Sequence, residues 1–138
     1  MDISAYDRKI KRITIKIKDQ KKLHAAYVTE FSKWISRNFE QEGRLAGRGK
    51  KWTKLKPSTV EAKRRKGKSK MLHITGDMKK KWEHTATSKI AKIKSRQNYA
   101  KNHHLGIGVP QRRLLPDDQQ KKEIILKVAE YFYNNAKR

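Results

Sequence analysis

The chain of 138 residues contains no cysteine. Disulfides, thiolate metal sites and cysteine nucleophiles are therefore excluded. No apolar run approaches the ~18–20 residues that a membrane helix needs. The opening segment, MDISAYDRKIKRITIKI, also lacks the apolar stretch of a signal peptide. These absences lead us to expect a protein made and used in the cytoplasm. Apolar residues are scarce as well, at 35%, while charged residues reach 36%. An average globular domain has about 45–50% and about 25%. A modest core with long solvated or partner-dependent segments is the expectation, and the length suits a single domain over 1–138.

Negative charge is the other shortage. Thirteen Asp and Glu stand against thirty-seven Lys and Arg, giving a net charge of +24. Such a balance points to a polyanionic partner. The excess is uneven. Residues 1–42 carry a net +4, residues 43–116 a net +19, and residues 117–138 a net +1. The two ends resemble ordinary soluble structure.

Residues 13–17, ITIKI, alternate apolar and polar, which predicts a short half-buried strand. Leu23, Tyr27, Phe31, Trp34, Ile35 and Phe39 then recur at intervals of mostly three and four, the spacing of one helix face. A helix of about 20–41 follows, with Asp19 as N-cap and Gly43 as terminator. From Gly43 to Met71 the pattern collapses, with twelve Lys and Arg against Glu61 alone. A long basic flexible loop over 43–71 is expected, with a short helix over Thr59–Arg65 behind the capping-box pattern Ser58-Thr-Val-Glu61. Trp82–Thr87 and Ile90–Lys94 have strand character. A third strand is expected near Asn98–His103, within a sheet of about 80–105. Pro116-Asp117-Asp118 opens a last helix of about 117–135, striped by Ile124, Ile125, Val128, Ala129 and Phe132. The fold class is therefore α+β: an N-terminal and a C-terminal helix packed on a small antiparallel sheet, with a long basic loop.

Catalytic chemistry finds little support. His103 and His104, with His73 and His84, invite a metal reading. Neighbouring histidines on a strand point to opposite faces, however, and a lysine-rich setting repels a cation. A hydrolytic site needs paired carboxylates or an activated nucleophile, and the middle segment offers only Glu61, Asp77 and Glu83. No metal, cofactor or catalytic residue is assigned. Lys50, Lys51, Lys63, Arg64, Arg65, Lys66, Lys68 and Lys70 are instead candidate polyanion contacts, acting through counterion release. Gly67-Lys68-Ser69 echoes the end of a phosphate-binding loop, but Ala62 stands where that loop requires its first glycine.

One arrangement is more specific. Helix-borne Phe39 is followed by Gly49-Lys-Lys-Trp52-Thr-Lys-Leu55-Lys-Pro57-Ser-Thr59, by Lys63, and by Leu72-His-Ile-Thr75-Gly76-Asp-Met78. Then come Tyr99-Ala100-Lys-Asn-His103-His-Leu-Gly106 and Pro110-Gln-Arg112 with Leu114-Leu115. This order resembles the phage virion morphogenesis family, which includes tail completion proteins of Mu-like and P2-like phages. The pieces are short, but they fall in the family's order across roughly residues 20–135. Met78 replaces a frequent leucine, lysines around Lys81 replace a common serine, and Arg113 stands where an aromatic is frequent.

The resemblance implies a structural tail completion or head–tail joining subunit that works by assembly rather than catalysis. It implies a homo-oligomeric ring in the virion tail or neck, contacting other tail or head-connector proteins, and a monomer when isolated. Trp52, Leu55, Thr59 and Arg112 are the expected partner or intersubunit contacts. The alternative is a basic nucleic-acid-binding protein using the 44–70 loop, which predicts steeply salt-dependent binding. Whether that loop faces DNA or an acidic protein stays open at this point.

Overall fold

A computed structural model of the chain describes residues 2–52, 82–95, 100–107 and 111–136. The fold is α+β, with helices at both ends and a two-stranded antiparallel hairpin between them. The elements are α1 (Ile3–Thr14), α2 (Gln20–Glu40), β1 (Trp82–Ala86), β2 (Ala91–Ser95), α3 (Ala100–Leu105) and α4 (Asp118–Ala136). Among the described residues no helix is long and apolar enough to cross a membrane.

α1 corrects the strand expected at 13–17. Ile13 and Thr14 end a helix that begins at Ile3. The amides of Lys16 and Ile17 then turn back to the carbonyls of Ile13 and Thr14. Five alternating residues were outweighed by a longer period: Ile3, Tyr6, Ile10 and Ile13 recur at three and four. Asp2 caps the start, its carboxylate accepting the Ala5 amide at 2.8 Å. At the other end Gln20 donates its side-chain amide to the carbonyls of Thr14 (2.9 Å) and Ile17 (2.6 Å).

α2 begins at the Asp19 cap, whose carboxylate accepts the Lys22 amide at 3.0 Å. It ends in a double-bonded reversal. The Glu42 amide reaches the Phe39 carbonyl at 3.1 Å, and the Gly43 amide reaches the Asn38 carbonyl at 2.8 Å. Glu42, at φ +53°, takes the left-handed position of this helix stop. α4 starts with a reciprocal capping box. The Gln120 amide donates to the Asp117 carboxylate (2.8 Å), and the Asp117 amide to the Gln120 side chain (3.0 Å).

The hairpin turn is set by Thr87. Its amide donates to the Ile90 carbonyl at 2.8 Å, and its hydroxyl accepts from the amides of Lys89 and Ile90. The third strand expected near Asn98–His103 is corrected from Ala100 onward, where the chain is the helix α3. Ala100 to Leu105 contains no β-branched residue, so a strand has little to favour it.

The chain divides into two compact units built from interleaved segments. Unit 1 comprises Met1–Ser32, His84–Ile93 and Pro116–Arg138, and unit 2 comprises Lys33–Glu83 and Lys94–Leu115. In unit 1, α1 packs against α4. Ile17, Leu23, Tyr27 and Val128 form the buried cluster, with Ile13, Ala26, Phe31, Ile125 and Phe132 against it. Each fully buried aliphatic side chain contributes about 1.5–3 kcal/mol. The Tyr27 hydroxyl is buried without a hydrogen-bond partner among the described residues, and burial pushes its pKa to about 12. Two bonds join α2 to the hairpin: His24 Nδ1 to the Thr87 carbonyl (2.6 Å), and Ser32 Oγ to His84 Nε2 (2.8 Å).

Candidate functional site

Described residues of three of the short motif segments meet in unit 2, while Leu72–Met78 lies outside the described residues. The first contributes Trp52, the second His103 and His104 on α3, and the third the extended stretch Gln111–Leu114. None of these segments is long enough to bury itself, so each relies on the others.

Residues 43–52, the start of the expected flexible loop, are instead a folded sequence of hydrogen-bonded turns. The Gly47 amide bonds to the Gly43 carbonyl, and the Gly49 amide to the Arg44 carbonyl, both at 2.8 Å. The Trp52 amide closes the segment on the Glu42 carbonyl at 2.7 Å. Lys50 and Lys51 lie exposed at its end. Compact turns can bond part of their own backbone without a regular element, and these do so.

Trp52 is the anchor. It is 7% exposed, and its ring meets Phe39 edge-on at 5.4 Å between centroids and 79° between planes. Such a pair adds about 0.5–1.5 kcal/mol beyond area burial. The space it needs is supplied by Gly43, where a Cβ would come within 2.2 Å of the indole. The backbone of Gly43, at φ +89°, also disfavours any other residue there.

The polar end of the indole fixes the third motif. Trp52 Nε1 donates to the Arg113 carbonyl at 3.0 Å, and Asn38 Nδ2 donates to the same oxygen at 2.9 Å. Asn38 is fully buried, and its side-chain oxygen accepts the Ala46 amide at 3.0 Å. One side chain of α2 thus ties the turn segment to the Gln111–Leu114 stretch.

α3 holds the same stretch from its histidine end. The Arg112 amide donates to the His103 carbonyl at 2.6 Å. Gln111 Nε2 donates to the His104 carbonyl at 3.1 Å, and the Leu114 amide donates to His104 Nδ1 at 3.1 Å. That last bond requires His104 Nδ1 to carry no proton. Burial lowers the pKa of both imidazoles, helped by the charges of Arg112 at His103 and Arg113 at His104. Gly106 turns the chain at φ +74°, and a Cβ there would sit 3.1 Å from that of Gln111.

The placement of the sequence-derived residues follows. Trp52 and Arg112, expected at a subunit contact, are packed within their own chain, at 7% and 5% exposure. Leu55, Thr59, Lys63, Arg64, Arg65, Lys66, Lys68 and Lys70 lie outside the described residues, as does the helix expected over Thr59–Arg65. His103 and His104 stand on a helix rather than a strand, where the His103 carbonyl and the His104 carbonyl and ring nitrogen accept bonds from the Gln111–Leu114 stretch. Among the described residues no three His, Asp or Glu side chains gather as a metal would require.

Sequence reasoning missed Asn38, Gly43 and His104 as members of this junction. Asn38 had a visible signal, a polar residue within the apolar stripe of Ile35 and Phe39. A polar side chain on a buried face implies a partner.

The chain matches the Phage virion morphogenesis family over residues 1–131, nearly its whole length, and it belongs to that family. No curated protein and no solved structure matched the chain. Membership gives the protein a role in building the phage particle, among other virion proteins.

Proposed function

We propose that this protein is a tail completion or head–tail joining subunit, acting by assembly rather than catalysis as a homo-oligomeric ring in the virion tail or neck. The observation that carries the reading is the junction itself. The family match spans residues 1–131. Within it, the motif residues Trp52, His103 and Arg112 sit where short segments are bound to one another by an indole-to-carbonyl and a backbone hydrogen bond. That is the chemistry of a shaped surface. A catalytic site would hold polar side chains free to act.

Trp52 fixes the point from which the following chain departs. Leu55 and Thr59, just beyond it, are then the contacts with a neighbouring subunit or virion protein. Deleting the gene from the phage that encodes it tests the proposal. Induced lysates should contain filled heads and separate tails, rejoined when a plasmid supplies the protein. Intact particles in the deletion lysate would overturn it. So would an arrest before either heads or tails are complete.

A further inference from the structure

α1 carries a second feature that the charge distribution along the chain concealed. Successive residues of an α-helix turn by about 100°. Ile3, Tyr6, Ile10 and Ile13 therefore share one side of α1, and Arg8, Lys11 and Arg12 share the opposite side, flanked by Lys9. All four cations are exposed.

The acids that might neutralise them are engaged elsewhere. Asp2 caps the helix through the Ala5 amide. Asp7 pairs with Lys122 of α4 at 2.6 Å. Glu123 of α4 accepts from the Tyr6 hydroxyl at 3.4 Å. None of the four cations has a hydrogen bond or ion pair among the described residues.

The helix dipole explains only part of this arrangement. Lys11 and Arg12 lie in the last turn, where positive charge is favoured. Arg8 and Lys9 lie mid-helix and gain nothing from it. Four like charges on one surface, unpaired among the described residues, repel one another, so a ligand that removes this repulsion binds with gain.

We infer that the exposed face of α1 formed by Arg8, Lys9, Lys11 and Arg12 binds the phosphate backbone of duplex DNA without reading its sequence. An acidic protein is the other candidate occupant, and the composition of the face argues against it. Protein interfaces depend on a desolvated apolar or aromatic anchor. Between these cations the face offers Ser4, the edge of Ala5 and, at its C-terminal end, the single aliphatic side chain of Ile15, with no aromatic residue and no apolar cluster around it. Binding by counterion release needs no such anchor. Arg8 to Arg12 spans about 6 Å of helix rise, which places successive cations within reach of successive phosphates of a strand. α1 carries no Asn or Gln to pair with adenine, and Arg and Lys contacts to phosphate oxygens carry no sequence information. The site is distinct from the 44–70 loop, and it stands or falls apart from head–tail joining, which can proceed without DNA contact.

The test uses the full chain and a labelled mixed-sequence duplex of about 20 base pairs, titrated at salt from about 50 to about 200 mM. The variant Arg8→Gln/Lys9→Gln/Lys11→Gln/Arg12→Gln should bind at least about a hundred-fold more weakly at the lower salt. Its log–log salt slope should be shallower by about three to four. The double variant Arg8→Gln/Lys9→Gln, which leaves the last helical turn intact, should lose about two from the slope. Arg8→Lys/Arg12→Lys should keep it. Glutamine retains helix propensity, and far-UV circular dichroism verifies the helix in each variant.

Three results would overturn the inference. The first is no duplex binding by the wild type at the lower salt. The second is wild-type binding by both glutamine variants, with the loss appearing instead in Lys63→Gln/Arg64→Gln/Arg65→Gln/Lys66→Gln. The third is α1-dependent binding of poly-glutamate with none of the duplex.

Discussion

In unit 1 the buried groups are mostly apolar side chains on helices: Leu23, Tyr27 and Val28 from α2, and Leu126, Val128 and Ala129 from α4. The buried polar residue there, Gln120, serves the α4 cap, whereas in unit 2 the buried set includes Asn38 and Arg112, beside Ile35, Phe39, Ala46, Trp52, Ala100 and Leu114. The helices of unit 1 satisfy their own backbone, so packing one face suffices. The connecting segments of unit 2 do not, and side chains of Trp52, Asn38 and His104 complete their hydrogen bonding. The difference explains where the recognisable family motifs fall. A helix face tolerates many apolar sequences of similar volume, whereas an indole N–H aimed at one carbonyl tolerates few replacements.

Removing the anchor should therefore have the largest effect. Trp52→Ala takes away a buried indole, its edge contact with Phe39 and its bond to the Arg113 carbonyl. The expected loss is about 3–5 kcal/mol, read from urea denaturation. Hydrogen exchange should show amides of residues 43–52 and 111–114 opening, while those of α1 and α4 stay protected. Equal loss of protection in α1 and α4 would break the contrast between the units.

Acid should act through the same junction, with a smaller effect because His104 is only half-buried. The folded-state pKa of His103 and His104 lies below the ordinary 6.5. As pH falls through about 6.5, the unfolded chain takes up protons first. The stabilisation present above that pH is lost as pH descends through the folded values. Protonation at His104 Nδ1 would also remove the acceptor of the Leu114 amide. Denaturation midpoints should be flat above about 6.5 and decline toward about pH 5. His104→Ala should lower the neutral-pH midpoint and flatten the decline. An unchanged acid limb in that variant would assign the pH dependence to other groups.

Legibility in the sequence followed the same division. The faces of α2 and α4 could be read because apolar residues recur over twenty residues or so, and Asp19 and Asp117 stand where their caps are needed. The motif pieces around Trp52, His103 and Arg112 were legible as a family pattern. Their meeting was not, because nothing local to one segment states that Trp52 Nε1 will find the Arg113 carbonyl sixty-one residues away. The turns of residues 43–52 were hidden by their charge: lysines and arginines suggested a solvated loop, while Gly43, Ala46 and Trp52 supplied the packing. The strand expected near Asn98–His103 is helix from Ala100 onward, in a stretch of six residues too short to show a helical period. The strand expected at 13–17 falls partly on the end of α1, where the alternation in ITIKI competes with the longer period beginning at Ile3.

α1 also gives the smallest predicted effect and the sharpest contrast with Trp52. Asp2→Ala removes the carboxylate that accepts the Ala5 amide, leaving a first-turn donor to water. The site is exposed, so the lost cap costs about 1 kcal/mol and lowers Tm by about 4 °C. Asp2→Asn should recover most of it, since an amide oxygen caps nearly as well. In hydrogen exchange the change should be confined to the first turns of α1, leaving the Trp52 junction as protected as before. Protection lost at the indole of Trp52 would mean that the two units share a cooperative unit. Their different kinds of contact would then not give them separate stabilities.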